Sequence, residues 1–176
     1  MKEICLIKGK DRKSFAVEYS PSAIAATKTE VSVGFENGKV FVYQLENETL
    51  TKKTELNANR GSITCMKYSP DGKYLAVGDS ERNVQLYETP DYTNNPKVVA
   101  NHSARVICLD WASDSKSFAV GSLDTNLYVW TLGNTLKSIS FKQAHQGSVS
   151  CVSYLNDSTI VTTGQDACIK IWNLEE

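Results

Sequence analysis

The sequence predicts an all-β fold made of repeated four-stranded units. Two observations predict it: short segments of alternating apolar and polar residues recur about every 43 residues, and turn-forming residues separate them. No segment carries sustained apolar residues at helical spacing. Four-stranded sheets that recur every 40 to 45 residues or so are typical of the blades of a β-propeller.

Two patterns mark the repeat. Cys65, Cys108 and Cys151 are spaced by 43 residues, each in a short alternating run that ends in an aromatic residue. A polar residue also precedes an aromatic one by six positions, once in every unit. These pairs are Asn37 and Tyr43, Glu81 and Tyr87, Asp124 and Trp130, and Asp166 and Trp172. Alternation over such short lengths indicates half-buried strands.

One unit can be divided into strands in detail. The predicted strands are 63–68, 74–78, 83–88 and 97–100, and the turn Ser69-Pro70-Asp71-Gly72 lies between the first two. Proline and glycine favour turn dihedrals, and aspartate bonds to its own nearby backbone. Near the start of the chain, residues 3–8 and 13–19 predict a hairpin.

The repeat length divides the chain into a propeller segment of about four to five blades. We expect 1–19 to be the outer hairpin of a preceding blade and 144–176 to be a last blade with three strands. Three full blades lie between them, at 20–57, 58–101 and 102–143. Such a segment is too short to close a seven-bladed ring, so we expect a fragment of one. A four-bladed ring and a swapped oligomer are the alternatives.

Composition excludes several classes of protein. The 19 basic residues balance 20 acidic ones, for a net charge of −1, whereas nucleic-acid binders usually carry a basic surplus. Neither an apolar leader nor a membrane-length apolar run is visible, so we expect a soluble, cytoplasmic protein. The five cysteines include no C-x-x-C pair, and with two histidines no zinc spacing is present.

The repeats resemble WD repeats over nearly the whole chain. Trp130-Thr131 and Trp172-Asn173 stand where Trp-Asp is usual, and His102 and His145 stand six residues before a cysteine. Asn59 takes the histidine position before Cys65.

In WD repeats, a histidine, an aspartate, a serine or threonine and the tryptophan form a hydrogen-bonded set inside one blade. The resemblance implies such a set here, made of His145, Asp166, Trp172 and either Thr162 or Thr163.

A second set has no hydroxyl. His102, Asp124 and Trp130 match the pattern, but Ala119 and Val120 stand where a serine or threonine is expected. We interpret both histidine–aspartate pairs as scaffold, because buried carboxylates and indole groups need partners. The competing interpretation is a catalytic dyad, but no nucleophile lies in a recognisable motif beside either pair.

A narrower resemblance is to the last repeats of the actin-interacting protein 1 family. The segments that carry it are 91–95, 102–106, 121–126 with 129–130, and 159–173. The resemblance implies a piece of the second of two seven-bladed propellers, binding to actin filaments, help for cofilin in filament disassembly, and a place in the actin cytoskeleton. The alternative is a general WD-repeat scaffold for complex assembly or signalling.

The candidate binding surface is the wide face of the propeller, formed by the loops that enter the first and third strands of each blade. Its candidate residues are Asn59, Arg60, Glu81, Arg82, Arg105, Asp124 and Gln146. Arginine is enriched among the residues that anchor interfaces. Tyr92 is a candidate on the opposite face. We expect no catalytic, cofactor, metal or small-molecule site.

Overall fold

Every sheet of the protein is antiparallel and built from consecutive strands. The computed structural model describes residues 2–8, 10–57, 60–92, 97–99, 102–133 and 135–175. Within these residues the chain forms strands and turns and no helix. The strands group into a two-stranded hairpin, three four-stranded sheets and one three-stranded sheet.

The strands follow one another in chain order. The hairpin contains β1 (Lys2–Lys8) and β2 (Asp11–Val17). Sheet 1 contains β3 (Pro21–Ala26), β4 (Glu30–Phe35), β5 (Val40–Glu46) and β6 (Thr49–Leu56). Sheet 2 contains β7 (Ile63–Tyr68), β8 (Tyr74–Asp79), β9 (Val84–Glu88) and β10 (Lys97–Val99). Sheet 3 contains β11 (Val106–Trp111), β12 (Ser117–Ser122), β13 (Leu127–Thr131) and β14 (Lys137–Phe141). Sheet 4 contains β15 (Val149–Asn156), β16 (Thr159–Gly164) and β17 (Ile169–Asn173).

The predicted all-β class and four-stranded repeat are confirmed. The strands predicted for sheet 2 agree with the observed ones to within one residue, although residue 100 lies outside the described residues. The second strand of the hairpin begins and ends two residues earlier than predicted. Because Lys8 pairs with Asp11, only two residues connect the two strands.

The first strand of each sheet has an irregular register at its start. The shift falls between Pro21 and Ala23 in sheet 1 and at the equivalent residues in sheets 2, 3 and 4. A bulge of this kind bends a strand and re-aims the side chains after it. In sheets 2 and 3 the repeating cysteine directly follows the shift and pairs with a glycine on the second strand: Cys65 with Gly78, and Cys108 with Gly121.

Neighbouring sheets pack face to face through apolar side chains. Between sheets 1 and 2, the buried cluster includes Val40, Val42, Ile63 and Met66. Equivalent clusters fill the spaces between sheets 2 and 3 and between sheets 3 and 4. A smaller aromatic cluster joins sheet 1 to Val17, at the end of β2, and to Tyr19, which follows the hairpin. Burial of each such side chain contributes about 1.5–3 kcal/mol, so the inter-sheet spaces are the core.

A glycine on the second strand lets each sheet approach the next one closely. A Cβ atom on Gly34 would lie 2.4 Å from Ile63 Cγ2. The same atom on Gly78 would lie 2.8 Å from Val106 Cγ1, and on Gly121 it would lie 2.5 Å from Val149 Cγ1. These separations are too short for any side chain, so only glycine permits the contact.

The terminal sheets keep open apolar faces. On β17, Ile169 is 74% exposed and Ile171 is 69% exposed, whereas the equivalent Leu127 and Val129 on β13 are buried by sheet 4. At the other end Ile24 is 63% exposed. The described sheets therefore form an open arc and not a closed ring, as expected for part of a propeller.

Among the described residues, no helix has the length and apolar character required to span a bilayer.

We predict that Gly121→Ala destabilises the fold by about 1–3 kcal/mol, because the new methyl group overlaps Val149 and Cys108 at the contact between sheets 3 and 4. Urea unfolding followed by circular dichroism measures the change. Gly133→Ala is the control, since the nearest atom to a Cβ there lies 3.6 Å away. Equal midpoints for the two variants would contradict the role of the close contact.

Candidate functional site

The histidine–aspartate set of sheet 4 is assembled around one threonine hydroxyl. His145 Nδ1 lies 2.8 Å from Asp166 Oδ1, and His145 Nε2 lies 2.7 Å from Thr162 Oγ1. The indole Nε1 of Trp172 donates to the same hydroxyl at 2.8 Å. The structure thus brings together four of the five residues predicted for this set. Thr163 points to the other face of β16, because side chains alternate along a strand.

The hydrogen bonds of this set can all run in one direction, from the indole of Trp172 to the carboxylate of Asp166. An indole N–H only donates, so Thr162 accepts from Trp172 and can donate its own proton to His145 Nε2. His145 then donates from Nδ1 to the carboxylate of Asp166. The result is a continuous chain from tryptophan to aspartate in which every polar atom has a partner.

The carboxylate of Asp166 also holds the loops around it. It accepts hydrogen bonds from the backbone N–H groups of Gln146, at 3.1 Å, and Cys168, at 3.2 Å. The hydrogen bond from His145 is the main reason that the pKa of Asp166 lies well below its usual value, and the two backbone donors lower that pKa further. Asp166 therefore connects the loop before β15 to the loop before β17.

This geometry has consequences for catalysis. The side chain of His145 is fully buried, and both of its ring nitrogens are engaged within the fold. A general base must reach the proton that it removes, directly or through one water molecule. His145 has no exposed surface through which a substrate could approach it.

Sheet 3 carries a shorter version of the same set. His102 Nδ1 lies 3.0 Å from Asp124 Oδ2, and the backbone N–H of Ser103 donates to that oxygen at 2.7 Å. Trp130 packs among the apolar residues between sheets 2 and 3. Val120 occupies the strand position that Thr162 has in sheet 4, four residues before the aspartate.

The consequence of the missing hydroxyl is visible at His102. Its Nε2 atom is buried and has no hydrogen-bond partner among the described residues. Burial lowers the pKa of His102 in spite of the nearby Asp124 carboxylate. For Asp124, burial alone would raise the pKa, but the N–H groups of Ser103 and Asn126 together with His102 lower it.

A buried carboxylate that the sequence analysis did not single out joins three sheets. Asp110 on β11 forms an ion pair with Lys67 of sheet 2 and accepts a hydrogen bond from the backbone N–H of Tyr154 in sheet 4 at 2.7 Å. Nearby, the indole of Trp111 donates to the carbonyl oxygen of Lys67 at 3.1 Å. The alternating run around Asp110 indicates a strand, but it carries no signal for these contacts.

Tyr92 is not a surface residue, so its place among the binding candidates was wrong. It is only 6% exposed, and its hydroxyl donates to Glu30 Oε2 at 2.6 Å. The Tyr68 hydroxyl lies 2.8 Å from that of Tyr92 and 2.6 Å from Ser32 Oγ. This buried polar chain joins sheets 1 and 2, and Lys53 pairs with its glutamate. The loop position of Tyr92 suggested exposure, and only the fold shows that the ring turns inward.

The loops of the wide face lie together at one end of the sheets. In each sheet, the loop after the second strand bonds to the residue just before the first strand, as in Ser80 N–H to Ser62 O at 2.9 Å and Leu123 N–H to Arg105 O at 2.9 Å. Five of the predicted surface residues are exposed at this end of the sheets. They are Arg60, Glu81, Arg82, Arg105 and Gln146.

Asn59 and Asp124 differ from the other predicted residues of the wide face. Asn59 lies outside the described residues. Asp124 is on this face, but its side chain is only 3% exposed and is committed to His102. Leu123, which the sequence analysis did not select, is 46% exposed beside it.

Lysines at both ends of the sheets form ion pairs, as Lys39 with Glu55 on the wide face, but three arginines of the wide face do not pair with any described residue. On the opposite face, Lys73 pairs with Asp71 and Lys116 with Asp114, each within one turn. On the wide face, Arg60, Arg82 and Arg105 form no ion pair with any described residue. The described residues also contain no group of three or more histidine, cysteine or acidic side chains arranged to hold a metal ion.

Consecutive four-stranded antiparallel sheets, tied by buried histidine–aspartate sets, define a propeller-type repeat protein. Comparison with family models agrees. The model "WD domain, G-beta repeat" matches residues 94–131 and 135–173. The model "Anaphase-promoting complex subunit 4 WD40 domain" matches residues 23–97. The chain belongs to the WD-repeat proteins.

Similar proteins include actin-interacting proteins. The chain is 36% identical over 110 residues to actin-interacting protein 1 of Drosophila melanogaster, which covers 60% of this chain and 18% of that protein. It is 32% identical over 100 residues to actin-interacting protein 1-2 of Arabidopsis thaliana, covering 56% of this chain and 16% of the relative. An uncharacterized WD repeat-containing protein of Schizosaccharomyces pombe is 37% identical over 95 residues, which cover 51% of this chain and 15% of that protein. The chain thus spans less than a fifth of the length of these relatives.

Among solved structures, the computationally designed Ika4 protein has a similar fold. The TM-score is 0.76 at 17% sequence identity, with 90% of this chain and 94% of that chain covered. At this identity the likeness concerns the fold alone.

We predict that Thr162→Val lowers stability by about 1–3 kcal/mol, because it leaves the buried nitrogens of His145 and Trp172 without their shared partner. Thr163→Val, on the same strand and the other face, is the matched control and should change stability by less than about 0.5 kcal/mol. Chemical denaturation of both variants compares them. Equal losses would show that the hydroxyl of Thr162 has no special role.

We predict that Val120→Thr raises stability by about 1 kcal/mol, because the added hydroxyl lies at the position from which Thr162 reaches its histidine and can bond to His102 Nε2. Val77→Thr is the control at the equivalent position of sheet 2, where the sequence has no histidine–aspartate pair. It should destabilise by about 1–3 kcal/mol, since it buries an unpaired hydroxyl. A comparable loss in both variants would refute the expected rescue.

Proposed function

We propose that this chain is a non-catalytic protein that binds actin filaments and assists their disassembly by cofilin. The observation that carries the proposal is the similarity to actin-interacting proteins from an insect and a plant, at 36% and 32% identity. Those names state an interaction with actin for the relatives. The cofilin part comes from the resemblance of residues 121–126 and 159–173 to the actin-interacting protein 1 family.

The proposed mode of action is docking of a rigid surface. The sheets are locked together by the close glycine contacts and by Asp110, so the wide-face loops are held in fixed positions. Pre-organised loops bind without a large loss of conformational entropy. The buried histidines support a role without catalysis, because their ring nitrogens stabilise the sheets from within.

The proposal includes location and organisation. We place the chain in the cytoplasm with the actin cytoskeleton, as part of the second propeller of a two-propeller protein. In this arrangement 20–57, 58–101 and 102–143 are full blades, 144–176 is a three-stranded blade, and 1–19 belongs to the blade before them. The separate sheets and their boundaries support this division.

We predict that the purified chain pellets with actin filaments and that cofilin increases the bound fraction. High-speed co-sedimentation with and without cofilin measures it, on protein shown to be monodisperse by light scattering. The chain without filaments is the control for aggregation, to which the open apolar faces of sheet 4 and sheet 1 contribute.

Each outcome has a definite meaning. Cofilin-dependent pelleting would support the proposed function in this segment. Folded, monodisperse protein that stays in the supernatant under both conditions would overturn it and would favour the alternative, a general WD-repeat scaffold in complex assembly or signalling.

A further inference from the structure

Three arginines that have no ion-pair partner among the described residues lie on adjoining loops of the wide face, at sheets 2 and 3. Arg60 directly precedes Gly61, whose Cα packs so closely on the β8–β9 loop that a Cβ would lie 2.4 Å from Ser80 Oγ and 2.6 Å from Glu81 Cγ. Arg82 belongs to that same loop. The loop before β7 and the loop after β8 are therefore in contact, and each presents an arginine.

Arg105 reaches the same region from sheet 3. The residue after it, Val106, packs against Gly78 at the end of β8, just before the Ser80–Arg82 turn. The Arg105 guanidinium also acts on Cys65 of sheet 2, where it favours the thiolate, although burial dominates and raises the pKa of Cys65 to about 12. Arg105 thus lies at the junction of sheets 2 and 3, and we call Arg60, Arg82 and Arg105 the arginine patch.

No described residue forms an ion pair with the arginines of the patch. Glu81 is the acidic side chain of the same loop, and the nearby Asp79 carboxylate is fully buried and occupied by the backbone and side-chain nitrogens of Asn83. Lys39 of the same face, by contrast, pairs with Glu55. A chain with a net charge of −1 therefore has a local positive surplus at one place on its wide face.

Arginine has the chemistry to recognise carboxylates. Its planar guanidinium donates two parallel hydrogen bonds to one carboxylate, and it is weakly hydrated compared with lysine. Three exposed and unpaired guanidinium groups on adjoining loops match a short protein segment with several aspartates or glutamates. Arg82 is exposed and lies in the turn between β8 and β9, with a left-handed backbone conformation of φ 74°.

We propose that the arginine patch is the docking site for a carboxylate-rich segment of the protein partner. This inference rests on the proposed function, in which that segment belongs to the actin filament. Leu123, exposed on the next loop of the same face, would contact apolar atoms beside the acidic segment.

The first experiment compares charge variants in the co-sedimentation assay with cofilin. The double variant Arg82→Glu, Arg105→Glu should bind at least about tenfold more weakly, because both contacts become repulsive. Lys73→Glu, Lys116→Glu is the matched control on the opposite face and should bind like the natural chain. Arg82→Lys, Arg105→Lys keeps the charge but loses the paired donors, so it should give an intermediate affinity.

The second experiment separates the failure of this inference from the failure of the proposed function. A fluorescent peptide of ten glutamates is titrated with each variant at low and at high salt, and fluorescence anisotropy reports binding. The natural chain and the lysine control should bind it, the double glutamate variant should not, and salt should weaken the binding.

The outcomes decide each proposal separately. Pelleting that is unchanged in the folded double glutamate variant would overturn the patch and leave the actin proposal intact. No pelleting, together with peptide binding that depends on Arg82 and Arg105, would overturn the actin proposal and keep the patch as a site for acidic segments. If the natural chain neither binds the peptide nor pellets with filaments, both the patch and the actin proposal would be overturned. Unfolding midpoints of all variants confirm that they remain folded.

Discussion

The close approach of one sheet to the next is the constraint on which the rest of the structure depends. It requires a residue without a side chain on the second strand, and Gly34, Gly78 and Gly121 meet that need at three successive contacts. The approach brings the apolar faces into contact, which supplies most of the stabilising free energy. It also sets the spacing at which a carboxylate on one sheet, such as Asp110, can reach its two neighbours.

Polar groups buried by this packing explain the histidine–aspartate pairs. In sheet 4 the set is complete, and one hydroxyl serves both an indole and an imidazole. In sheet 3 a valine replaces the threonine, and one imidazole nitrogen has no hydrogen-bond partner among the described residues. The same repeat thus tolerates an incomplete set, because the aspartate still connects the two loops through backbone hydrogen bonds from Ser103 and Asn126.

The division of roles between the two ends of the sheets follows from the same frame. Asp124 and Asp166 on the wide face use their carboxylates in hydrogen bonds to histidines and backbone groups of the same chain. The arginines of the adjoining loops have no ion-pair partner among the described residues, whereas Lys73 and Lys116 on the opposite face pair with nearby aspartates. Because these carboxylates bond within the fold, the exposed arginines beside them leave this surface positively charged.

The sequence by itself determined the repeat and the strands of sheet 2, because alternation, turn residues and the spacing of Cys65, Cys108 and Cys151 are local signals. The members of the histidine–aspartate sets came from the resemblance to WD repeats. Only the tertiary structure decided which of two threonines carries the bonds, that Tyr92 turns inward, and that Asp110 joins three sheets. These contacts join residues that lie on different strands or sheets. Their partners are chosen by packing geometry, and a linear pattern holds no record of it.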